Sequence, residues 1–185
     1  MPSLHHLLRR KGLSETEQRD LARFVIVFAL TIVGWACLHD VYLMGVEPRH
    51  FTEYHRPLLP ITNHALLAVQ YAAVATFGPG MVFGALTFAA SRLGSPRALE
   101  LRNVWLGFLP VIALVEASAL QAGNWARHRY VEGRDPLYPR LLYPDDTAGI
   151  AYSQTVNLTA YLAAAVFGIS FLVCVWLVRK RVAKS

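Results

Sequence analysis

Four long apolar runs, at about residues 21–44, 64–91, 104–124 and 150–178, are nearly bare of charge. At roughly 1.5 Å of rise per residue, each is long enough as a helix to cross ~30 Å of hydrocarbon. Only 16% of the 185 residues are charged and 55% are hydrophobic, whereas a water-soluble chain of this size carries about a quarter charged residues. The deficit is uneven, because the charges collect in short segments between the runs. This patterning predicts an all-α fold: a polytopic membrane protein with four transmembrane helices in one domain, 1–185, preceded by a polar leader over 1–20.

Charge placement then orients the chain. The net charge of +6 does not point to nucleic acid, because most Lys and Arg flank the apolar runs. Arg9, Arg10, Lys11, Arg19 and Arg23 precede the first run. Arg92, Arg97 and Arg102 lie between the second and third, and Arg179, Lys180, Arg181 and Lys184 follow the fourth. The opposite side holds Arg49, Arg56, Arg127, Arg129, Arg134 and Arg140, the smaller share. Both termini are therefore expected in the cytoplasm. Ser14-Glu15-Thr16-Glu17 reads as the cap of a short amphipathic helix along the membrane surface. Gly78-Pro79-Gly80 predicts a kink near Phe77, and the small residues around it (Ala72, Ala73, Ala75, Gly84, Ala85) suit close helix packing. Cys37 and Cys174 lie inside apolar runs and read as small buried hydrophobes. The Tyr138-Pro139 and Tyr143-Pro144 steps suggest an ordered extended excursion between the third and fourth spans.

The polar residues near the membrane boundary are the candidates for chemistry. Residues 39–64 hold four of the seven histidines, His39, His50, His55 and His64, with Asp40, Glu47 and Glu53 between them. Glu47, His50 and His64 offer one carboxylate and two imidazoles, a ligand set suited to copper, iron or zinc. The competing reading makes His50 and His55 interfacial loop residues and His64 a helix cap. His39-Asp40 is a second candidate, set against a boundary pair that orients the helix end. On the third span Glu116, Leu120, Asn124 and His128 recur every four residues and share one stripe. A charged Glu116 in hydrocarbon costs at least several kcal/mol. It is therefore protonated, paired, hydrogen-bonded to a neighbouring helix, or turned to a wet cavity.

These residues resemble a known pattern. Glu47 and His64 are spaced as the Asp and last His of the Asp-x3-His-x12-His pattern in the C subunit of copper membrane monooxygenases, the particulate methane and ammonia monooxygenases. Arg56 stands where that family often has Arg, and Asn124-Trp125-Ala126-Arg127-His128 is similar to its Asn-x3-His. The departures are Glu for Asp, His50 one position from the middle ligand with Phe51 in its place, and no histidine after His128. Ser153, Gln154 or Asn157 stands near the last of these positions. The Tyr-Pro excursion is also similar to a stretch of the A subunit. The resemblance implies a subunit of a copper-dependent complex in a bacterial inner (plasma) membrane, oxidising a small apolar substrate such as an alkane or ammonia with O2. Copper would be held by Glu47, His50 and His64, with Asn124 and His128 nearby, toward the outer face, and other membrane subunits would be partners.

Two further readings remain. One is a non-catalytic four-helix protein that supports assembly or docking of another complex, or carries a metal or quinone for it. The other is a small transporter, for which Glu116 and Gln121 are available but the second and fourth spans offer little at mid-depth.

Overall fold

The computed structural model describes residues 14–55, 59–92, 99–135 and 147–182. Five helices follow in order: α1 (Glu15–Val46), α2 (Arg49–Thr52), α3 (His64–Arg92), α4 (Leu101–Val131) and α5 (Ala148–Val182). Four of them, all but the single turn α2, are long and apolar enough to cross a membrane. Each contains one of the four expected runs and extends beyond it. Because a bilayer interior offers the backbone no hydrogen-bond partner, helices of this kind satisfy it internally. Their outward faces carry Leu38, Val74, Leu162 and Ile169, each more than 60% exposed. Large apolar side chains bared this widely form a surface for lipid, not water. The chain is an integral membrane protein. Arg56, the leader before residue 14 and the Tyr-Pro steps lie outside the described residues.

Local chemistry sets the helix ends. Ser14 and Glu17 form a reciprocal capping box, so this cap opens the spanning helix itself; a separate surface helix does not start there. The acidic cap suits the positive end of the helix dipole. Pro48 follows the last turn of α1, where it cannot extend the helix. Asn63, not His64, caps α3: its Oδ1 accepts the Leu66 N–H at 3.1 Å. The helix runs without interruption through Pro79. Gly133, at φ 73°, takes the left-handed backbone that stops α4.

The four spans associate chiefly as two pairs, α1 with α3 and α4 with α5. Small residues explain both. On α3, Ala68, Ala72, Gly80 and Gly84 are buried at helical spacing. A Cβ on Gly80 would sit 3.0 Å from the Ala29 Cα, and one on Gly84 3.2 Å from the Val25 Cα. Without hydrophobic drive between helices in lipid, such close backbone approach supplies the packing energy. Ala73, Ala75 and Ala85, expected to share that role, are not buried. In the second pair, Gly123 makes room for Val156 and Tyr152.

Two core clusters join the pairs. At the end where α1 starts and α5 stops, Phe24, Phe28, Phe88, Val104, Phe108 and Val175 pack together, with Phe28 and Phe108 rings 4.4 Å apart. At the opposite end, Leu43, Met44, Phe51, Leu67, Val115, Tyr152 and Val156 pack beneath α2.

Candidate intramembrane binding site

Between the two clusters the helix pairs part and leave a cavity of about 580 Å³, within the range of small-molecule sites. Its walls are mostly apolar: Ile32, Ala36, Phe83, Phe108, Ile112 and Val115 are typical. Its mouth lies between α3 and α5, where lining residues Ala75, Val82 and Leu86 face Tyr161 and Ala164 and all five are exposed. In a bilayer this opening faces lipid.

The polar lining concentrates at the α2 end: His39 and Asp40 from α1 and Asn157 from α5, with Thr76 and Tyr161 about one turn further in. Thr76 is already bonded to its own helix, its hydroxyl donating to the Ala72 carbonyl at 2.6 Å. His39 belongs to the inward stripe of α1 with Phe28, Ala36 and Leu43. Glu116 faces it from α4. Glu116 Oε2 accepts the Trp35 indole N–H at 2.9 Å and lies 2.8 Å from His39 Nδ1. Acting as acceptor for both, it places the Nδ1 proton on its own side of the imidazole and leaves Nε2 as the lone-pair nitrogen. That Nε2 is buried and has no hydrogen-bond partner among the described residues. Buried polar atoms nearly always have partners, so this one calls for an explanation. The Trp105 indole N–H, donating to Thr31 Oγ1 at 3.0 Å, ties α4 to α1 a second time.

The expected metal ligands lie elsewhere, Glu47 and His50 at the loop end and the others on exposed helix faces. Glu47 is engaged by its neighbours: its carboxylate accepts Arg49 Nε at 3.0 Å, Arg49 Nη2 at 3.2 Å and the Thr147 hydroxyl at 2.9 Å. The Arg49 bonds, chiefly, hold its carboxyl below the usual range. Thr147 Oγ1 in turn accepts the Ile150 N–H. This group latches the first loop onto the start of α5, where a carboxylate is favoured by the helix dipole.

His50 is fully buried. Burial, and secondarily His55, pushes its pKa down to about 3, so it is neutral and its Nε2 accepts from Asn157 Nδ2 at 3.4 Å. His55 Nδ1 donates to the His50 carbonyl at 2.6 Å, and the Tyr71 hydroxyl to the His55 carbonyl at 3.0 Å. His50 and His55 therefore plug the bundle above the cavity.

His64, Asn124 and His128 are exposed. Among the described residues no three His, Cys, Asp or Glu side chains gather to hold a metal ion. Of the expected ligands Glu47, His50, His64, Asn124 and His128, the first is held in a salt bridge, the second in a buried plug and the other three on exposed helix faces. His39 and Glu116, the secondary candidates, do meet.

No protein-family model, curated protein or solved structure matches this chain. The site is thus read from its own geometry. Trp35, Asn157 and Tyr161 complete it. Asn157 had a signal in the sequence as one of the few polar residues in an apolar run; Trp35 and Tyr161 had none, since aromatic residues are ordinary in such runs.

Proposed function

We propose that this protein binds a lipophilic small molecule drawn sideways from the bilayer, as a non-catalytic carrier or the binding subunit of a larger membrane assembly. The apolar part of the ligand fills the cavity, and its polar head meets His39, Asp40 and Asn157. The observation that carries this reading is the cavity itself, open toward lipid and bearing at its polar end a buried imidazole nitrogen with no partner among the described residues. The Lys and Arg asymmetry supports cytoplasmic termini and, with them, a polar end toward the outer leaflet.

The test uses the full chain in lipid nanodiscs with a neutral photoactivatable alkyl diazirine. Label is expected on Val111, Ile112 and Val115, which line the cavity from α4. Ala75→Trp and Ala164→Trp, both at the exposed mouth, should block it. Label confined to lipid-facing residues such as Leu38 and Ile169 overturns the proposal. A copper-dependent oxygenase subunit is the other role to measure against, and copper content of the purified protein separates the two. Copper that co-purifies, and is lost in His64→Ala and His128→Ala, would favour the oxygenase.

A further inference from the structure

The charges around the cavity are unbalanced. Asp40 lines it, Glu116 is bonded to lining residues His39 and Trp35, and no Lys or Arg is among its lining residues. Two carboxylates face one imidazole, so an excess negative charge remains even with His39 protonated. One oxygen of the Glu116 carboxyl is engaged by both Trp35 and His39. Asp40 makes no hydrogen bond or salt bridge with another described residue, and the nitrogen base beside it is His39. A carboxylate in apolar surroundings without a countercharge is among the most costly arrangements in a membrane.

Hydrogen-bond chemistry points the same way. An ionised Asp40 accepts only, and His39 Nε2, with Nδ1 committed to Glu116, also accepts. Asn157 and Tyr161 bring donors to the same wall, but neither is hydrogen-bonded to Asp40 or to His39 Nε2, and this pair of open acceptors selects a head made of donors. The ammonium group is such a head, with three N–H donors and no acceptor. The rings of Trp35, Phe83, Phe108 and Tyr161 also line the space, and aromatic faces attract cations. A hydroxyl head would satisfy one acceptor and leave the carboxylate charge uncompensated.

We infer that the cavity selects lipophilic cations: a protonated amine on an apolar body, its N–H groups shared between the Asp40 carboxylate and His39 Nε2. This rests on the binding reading above and specifies its ligand class.

The experiment displaces the neutral diazirine label from wild-type protein in phosphatidylcholine nanodiscs, with dodecylammonium or with dodecanol. The two share a chain and differ in the head. Dodecylammonium should displace the label at a bilayer mole fraction about tenfold lower than dodecanol, the scale of a close charge pair shielded from water. In Asp40→Asn, with displacement scored against that variant's own labelling, the two compounds should be equally potent; Asp40→Glu should keep part of the preference. Equal displacement by the two compounds, no displacement by dodecylammonium, or a preference that survives in Asp40→Asn each overturns the inference while the cavity reading stands. A wild-type cavity that takes no label removes both.

Discussion

Two clusters of histidine and carboxylate, built from the same residue types, do opposite things in this molecule. The loop-end cluster of Glu47, Arg49, His50, His55 and Thr147 is closed: its groups bond to one another, to backbone carbonyls and to Asn157. The inner cluster of Trp35, His39, Asp40 and Glu116 is open: one carboxyl oxygen organises two donors, while a ring nitrogen and a second carboxylate remain at the wall of a void. Polar residues in a membrane protein therefore do not mark a ligand site by number alone. What distinguishes a site from a seal is whether the polar groups line a space that a ligand can enter.

Acid should give the largest effect and tests the sealed cluster. In the unfolded chain His50 takes up a proton near its ordinary 6.5, and in the folded chain only near about 3. Between those values the unfolded state binds more protons, so stability that is full above pH 6.5 should fall steadily as the pH drops toward 3. Glu47, with its pKa lowered in the fold, adds a loss of the same sign below its ordinary range. Thermal unfolding in detergent across this window should show the slope, and His50→Phe should flatten it. A wild-type melt indifferent to pH would mean that the loop end is not sealed.

Glu116→Leu tests the open cluster and should rank second. It strands the Trp35 and His39 donors, a loss of about 2–4 kcal/mol in denaturant unfolding. Glu116→Gln keeps a carbonyl oxygen for both donors and should recover most of it; equal destabilisation by the two variants would show that hydrogen bonding to Glu116 is not what joins α1 to α4. Thr147→Val removes a helix cap and one of the Glu47 bonds, and should lower stability by about 1 kcal/mol, without altering label in the cavity. If cavity labelling changes, the two clusters are coupled and the contrast between them weakens. His64→Ala and His128→Ala, on exposed faces, should stay within about 0.5 kcal/mol.

The fold was largely legible because its signals are local. Charge-free runs of membrane length give four helices wherever they occur. Gly84 among small residues marked a packing face, although only the backbone approach to Val25 showed which helix meets it. The site was legible only in part. Glu116 announced itself as a carboxyl that needs a partner in hydrocarbon, and its partners proved to be Trp35 and His39 on a neighbouring helix. The spacing of Glu47 to His64 suggested a shared ion, yet Arg49 and Thr147 had a stronger claim on that carboxylate, and Thr147 lies far along the chain.

By itself the sequence determined the class of object: how many long apolar helices there are, about where each lies along the chain, and which polar residues must find an answer among them. These follow from hydropathy and helix geometry, which act over a few turns. Only the tertiary structure decided which histidine plugs the loop end and which lines the cavity, because that depends on the helices packing as two pairs with a gap between them. A hydrogen bond across 77 residues of sequence, from His39 to Glu116, obeys no local spacing rule; it exists because two helix faces meet.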